Sequence, residues 1–273
     1  MSHAPRRRRW PWVVLGVAIV LVVTVGGAVV LLWGGRGAEE ASVEKAVRRF
    51  RDNRDTGESG LLAPEPGVYT YRGGGIERLS VLDANQRWGP RLPVTVTATD
   101  PGCWTFRVEY STNHVQETFY CARDRVLEET GGRTEQRFNF GAFAVDDTQV
   151  FTCRPPGQTI RVAANQNDSW QQSCRGRSVE RGTTLTSAGT NTFLGRERVR
   201  VGGSPVEADH YRVDRTLSGD QTGTERNEFW YAVRSGLPLR IRRDVRVESP
   251  SPLGAVLYTE RGTLTVASLT PTR

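Results

Sequence analysis

Leu237-Pro238-Leu239-Arg240-Ile241-Arg242-Arg243-Asp244-Val245-Arg246-Val247 decides the fold class. Apolar residues take the odd positions, with Arg243 the exception, and polar residues or proline take the even ones. Successive side chains of a strand point to opposite faces, so this segment buries one face and wets the other. Working outward, Val94, Val96 and Ala98 alternate in the same way, as do Trp104, Phe106, Val108 and Tyr110. Turn signals separate such runs: RGGG at 72–75, TDPG at 99–102, TGG at 130–132, VGG at 201–203, LSGD at 217–220 and RSG at 234–236. No amphipathic helix follows residue 60 in this reading. Short strands joined by tight turns predict an all-β fold with a large antiparallel sheet, as a half-barrel or a sandwich. A weak echo between Phe119–Arg123 and Phe229–Val233 leaves two similar curved lobes open.

The cysteines set a register. There are four, Cys103, Cys121, Cys153 and Cys174, and none forms a CxxC motif. An even count in an extracytoplasmic segment suggests disulfides, with four free thiols as the alternative. Ser111-Thr112-Asn113 reads as a three-residue hairpin loop centred on Thr112. Residues whose numbers sum to 224 then face each other. That places Cys103 opposite Cys121, Trp104 opposite Tyr120 and Arg107 opposite Glu117, three favourable cross-strand pairs from one register. Cys153 and Cys174 remain for the second disulfide.

Upstream, Trp10–Trp33 carries no charge and has Thr24 as its one polar side chain. About 20 apolar residues span a bilayer core. Trp10 and Trp12 at one end and Trp33 at the other suit the two headgroup levels. Arg6, Arg7, Arg8 and Arg9 abut the N-terminal end, which predicts a cytoplasmic N-terminus and an extracytoplasmic remainder. A cleaved signal peptide is the competing reading, but its apolar core is shorter, at about 7–15 residues. Residues 38–54 place Val43, Ala46, Val47 and Phe50 on one helical face, with acids early and bases late, the reading of a short stalk helix. The expected organisation is a basic tail over 1–9, a transmembrane helix over 10–33, a stalk helix and linker over 34–62, and a β domain over 63–273.

Charge narrows the partners. Of the formal +7, residues 1–60 supply +4, from ten Lys and Arg against six Asp and Glu. The remaining +3 over 61–273 gives poor support for nucleic-acid binding. Arg240, Arg242 and Arg246 share the polar face of one strand and read as a solvated stripe paired with acids on neighbouring strands. The sharper reading of that stripe is an anionic partner such as an envelope polymer or lipid headgroups.

Catalytic motifs are sparse. No G-x-S-x-G elbow, Walker A loop or dinucleotide fingerprint occurs, and neither a cofactor nor a metal site is expected. His114 follows the proposed hairpin loop and is expected exposed. His210 is expected on a face apart from Glu207 and Asp209, beside apolar Val206 and Ala208, in a structural role. Asp146-Asp147 reads as a turn, and Arg72-Gly73-Gly74-Gly75 as a hairpin turn.

The cadence Leu194–Gly203, Val206-x-Ala208, Glu228-Phe229-Trp230-Tyr231 and Gly236–Arg240 resembles uncharacterised bacterial extracytoplasmic β proteins. Some of these look like lipoprotein-carrier (LolA/LppX-like) half-barrels, in which a curved sheet holds an acyl chain. The resemblance implies a non-enzymatic envelope protein that binds or scaffolds a lipid, an envelope polymer or a protein. This chain departs from secreted carriers by its apolar N-terminal run. An envelope hydrolase or wall-modifying enzyme is the alternative, requiring His210 within reach of a Ser or Asp.

Overall fold

The computed structural model describes residues 38–53, 62–80, 84–139, 144–251 and 254–273. The segment Arg6–Arg9, the apolar run with Trp10, Trp12 and Trp33, and the tail lie outside the described residues. Among the described residues, no helix is long and apolar enough to cross a membrane.

Among the described residues, one helix, α1 (Val43–Asn53), precedes thirteen strands. They are β1 (Gly67–Leu79), β2 (Ala84–Arg87), β3 (Arg91–Ala98), β4 (Cys103–Ser111), β5 (His114–Arg123), β6 (Val126–Asn139) and β7 (Ala144–Arg161). There follow β8 (Ser169–Ser178), β9 (Thr184–Val201), β10 (Ser204–Gly219), β11 (Thr222–Ala232), β12 (Pro238–Ser251) and β13 (Gly254–Val266). From β3 to β13 each strand neighbours its sequence successor. β1 pairs with β3 through Gly67–Arg72 and with β2 through Ile76–Leu79, so β2 and β3 act as one interrupted neighbour.

The sheet is neither an open half-barrel nor a sandwich, and it is not two lobes. β13 pairs antiparallel with β1, from Tyr71↔Val266 to Leu79↔Tyr258, and closes the sheet into a twelve-stranded barrel. Closure satisfies backbone groups that an open edge would expose. The alternation predicted for 237–247 is the inside–outside alternation of β12. Leu239, Ile241 and Val245 are buried. Outward, β12 carries Arg240, Arg242, Asp244 and Arg246, β11 carries Arg226 and Glu228, and β10 carries Arg212 and Asp214. A wall so charged differs from the apolar band of a transmembrane barrel.

Eight strands enclose a lumen that side chains just fill, so twelve enclose more. Large aromatics fill the end where β1 begins: Tyr69, Tyr71, Trp104, Phe106, Tyr120, Tyr211 and Tyr231 are all buried there. Leu62 packs with them, and its carbonyl accepts from Trp104 Nε1 at 3.0 Å. Trp88, at the break between β2 and β3, lies across the cross-strand pair Gly75 and Gly262. A Cβ on either glycine would come within 2.4 Å of the indole, so glycine is needed to admit the ring. The RGGG segment is therefore strand interior and not a turn. TGG at 130–132 also lies inside a strand, β6, where Thr130 is the extra residue of a bulge in the β5–β6 register. Asp146 and Asp147 lie in β7, where Asp147 accepts from Ser178 Oγ at 2.8 Å and pairs with Arg181 at 2.6 Å.

The helix forms on the expected face, capped by Ser42, whose Oγ accepts from the Lys45 amide at 3.3 Å. It lies on the outer wall of the barrel and does not stand free as a stalk. Ala46, Val47 and Phe50 bury against Val68, and Arg49 pairs with Glu109.

Both disulfides form in sequential pairing, Cys103–Cys121 and Cys153–Cys174. The 224 register holds from Cys103↔Cys121, Trp104↔Tyr120 and Arg107↔Glu117 to Glu109↔Val115. It then shifts at a bulge so that Ser111 pairs with His114, and the loop is Thr112-Asn113 and not the three residues expected. Trp104 and Tyr120 rings lie 4.6 Å apart, and Arg107 Nη1 reaches Glu117 at 2.6 Å. Each bridge closes a loop of about 20 residues, contributing about 3 kcal/mol through the unfolded chain.

Candidate functional site

Beyond the aromatic end the lumen turns polar. Glu77 accepts from Trp88 Nε1 at 2.7 Å and Gln86 Nε2 at 2.7 Å, and its Oε1 lies 2.6 Å from His114 Nδ1. Burial pushes the Glu77 carboxyl up, but the His114 charge and these donors outweigh it and hold the group below the usual carboxylate range. On β13, Glu260 pairs with Arg243 and accepts from Tyr258 Oη at 2.9 Å. Gln136 Nε2 donates to the same Tyr258 oxygen at 2.7 Å. Every carboxylate of this layer is partnered.

In a second layer the pairing is incomplete. Arg215 Nη2 donates to Gln172 Oε1 and Asn191 Oδ1, both at 2.7 Å. Gln172 Nε2 donates to Glu129 at 2.8 Å, and Asn191 Nδ2 donates to Gln172 Oε1 at 2.8 Å. Arg215 makes no ion pair among the described residues. These groups line a cavity of about 140 Å³ inside the barrel, together with Glu225, Asn227 and Thr159. Asn227 Oδ1 and Thr159 Oγ1 are buried without a hydrogen-bond partner among the described residues. Glu225 has no side-chain hydrogen bond among the described residues, and its accessible surface opens into the cavity.

Burial raises the carboxyls of Glu129 and Glu225. The Gln172 bond and Arg215 oppose this only in part at Glu129, as do Arg243 and Arg215 at Glu225. Burial likewise works against the Arg215 charge, and the charges of Glu129 and Glu225 only partly offset it. A raised folded-state carboxyl makes the native protein hold its proton longer than the unfolded chain. Stability is therefore lost as pH rises from the ordinary carboxylate range through the raised value. Glu129→Gln keeps an acceptor for Gln172 and removes that loss. The expected outcome is a higher melting temperature at pH 8 and little change at pH 4, read by calorimetric scans.

Glu129 also lies against Cys153 and Cys174, with ligand-type atoms within 4.8 Å. Both sulfurs are tied in a disulfide and offer no thiolate, so this group does not fit a metal. An open groove of about 720 Å³ sits at the aromatic end, walled by Val206, Ala232, Val233 and Leu237 with Glu207 and Arg234.

His114 does not lie where the sequence reading places it, and His210 does so only in being apart from Glu207 and Asp209. His114 is 1 % exposed and paired with Glu77, not exposed. Its even number shares the inward phase of Trp104–Tyr110 under the 224 register, and that phase was the available signal. His210 lies on the outer wall, stacked on Trp230 at 4.0 Å, with Glu197 at 2.8 Å and Glu228 at 3.3 Å. It does not sit on an apolar face, because strands β9 and β11 bring carboxylates to it that lie far away in sequence. The Arg stripe is outward too. Arg240 covers Trp230 at 5.4 Å, and Arg242 lies 3.8 Å from Glu228.

No family model matches this chain, and no curated protein matches it. Among solved structures it is similar to the hypothetical lipoprotein YmcC from Escherichia coli. The identity is 14%, over 73% of this chain and 85% of that chain, with a TM-score of 0.33. The closed barrel rests on this chain's own strand register.

Proposed function

We propose that this chain is a membrane-anchored extracytoplasmic barrel that binds a small polar ligand in its lumen and performs no catalysis. The observation that carries this is the cavity beside Asn227 and Thr159, whose buried polar atoms have no partner among the described residues. Leaving a buried acceptor unpaired costs about 1–3 kcal/mol, which a bound ligand would relieve. An acyl chain suits the lumen poorly, because aromatic side chains fill its apolar end and the cavity is polar. A hydrolase is less favoured. His114 is engaged by Glu77, and His210 faces carboxylates on the outer wall with no hydroxyl nucleophile bonded to it.

The anchor rests on the apolar run Trp10–Trp33 and the flanking Arg6–Arg9. The tail, the span and the linker over 34–62 then tether the β domain outside the cytoplasm. Native mass spectrometry of detergent-extracted protein tests the binding reading. A small polar adduct is expected, and a lipid adduct would overturn it. Topology is checked with Thr216→Cys, an exposed outward position on β10. A membrane-impermeant maleimide should label it in intact cells. Labelling only after lysis would overturn the orientation.

A further inference from the structure

We infer that the lumen cavity takes a small primary ammonium cation, held by Glu225, Glu129 and Asn227 Oδ1. This rests on the lumen being a binding site and names the class of ligand. Charge counting comes first. The inward carboxylates are Glu77, Glu260, Glu129 and Glu225. Glu260 is paired with Arg243, and Glu77 is hydrogen-bonded by His114, Gln86 and Trp88 away from the cavity. Arg243 and Arg133 also line the cavity but are paired with Glu260 and Glu135. That leaves Glu129 and Glu225 with Arg215, whose guanidinium bonds to neutral amide oxygens and not to either carboxylate. The cavity therefore carries one negative charge more than it neutralises.

Hydrogen-bond polarity points the same way. The free positions facing the cavity are acceptors: the Glu225 carboxylate and Asn227 Oδ1, with Thr159 Oγ1 able to accept as well. An ammonium group offers three donors and no acceptor, so it meets this set without leaving a lone pair unmatched. Phe229 and Tyr231 also line the cavity and supply apolar surface for the carbon stem of such a cation. Size sets the limit. A volume of about 140 Å³ corresponds to about four or five waters at ~30 Å³ each, and so to a ligand of few heavy atoms. Burial holds both carboxyls high in the empty cavity, and an arriving cation would offset that strain.

The test uses three probes of nearly equal size and different charge: ethanolammonium, ethylene glycol and glycolate. Each is titrated calorimetrically at pH 7 into the full-length protein in mild detergent. Ethanolammonium is expected to bind at least tenfold more tightly than either of the others. Glu225→Gln should weaken it at least tenfold and leave ethylene glycol unaffected. Glu129→Gln provides the same reading should Glu225→Gln not fold. Tighter or equal binding of glycolate or ethylene glycol would overturn the cation assignment while leaving a ligand-binding lumen. Binding of none of the three would overturn both.

Discussion

Arg243→Met should destabilise the barrel by about 3–5 kcal/mol, read as a lower denaturant midpoint for the full-length protein in mild detergent. Arg243 is buried on the inner face of β12 and pairs with Glu260, which is 2 % exposed. Removing the guanidinium leaves Glu260 a buried carboxylate with Tyr258 as its remaining donor. The cost comes from that uncompensated charge more than from the lost attraction. Arg243→Met combined with Glu260→Leu should therefore be less destabilised than the single variant, because no charge is left behind. A double variant at least as unstable as Arg243→Met would show that packing, not charge, sets the cost.

Glu77→Ala is expected to cost about 3–5 kcal/mol for the converse reason. It strips the acceptor from Trp88, Gln86 and His114 at once. Trp88 sits on the Gly75–Gly262 pair, so losing its anchor also loosens the seam where β1 meets β13. The pH dependence follows from the depressed Glu77 carboxyl. A depressed group adds stability in full above the ordinary carboxylate range and loses it as pH falls through its folded value. The gap between wild type and Glu77→Ala should thus narrow below about pH 4, the unperturbed carboxylate range. A gap that stays constant into acid would remove Glu77 ionisation from the explanation.

Arg243 and His114 show where legibility stopped. Arg243 was visible as the one charge on an apolar phase, which marks a buried charge in need of a partner. Glu260 shares the inward phase of Leu264 and Val266 on the next strand, but meeting Arg243 needs the β12–β13 register, and none of the turn signals read from the sequence falls between those two strands. His114 fell in the inward phase of its own hairpin, but proximity to the loop suggested exposure. The RGGG and TGG segments read as turns because glycine permits turns. In β1 and β13 the same residue type makes room for an indole, a demand made by a side chain elsewhere in the chain. The polar cavity was not legible at all. Glu129, Thr159, Gln172, Asn191, Arg215 and Glu225 sit on six different strands, and each by itself looks like a polar residue on a sheet.

The amino-acid sequence by itself determined the antiparallel strands, the first hairpin register, the cysteine pairing and the buried face of α1. These depend on spacing within a few residues or across one turn, where strand and helix periods act directly. Only the tertiary structure decided that the sheet closes, that α1 lies on its outer wall, and that Arg215 is left without a carboxylate partner. Alternation assigns each side chain to a face, but an inner face of an open sheet and the lumen of a barrel have the same alternation. Which charges meet across the lumen depends on closure between β1 and β13, residues separated by most of the chain.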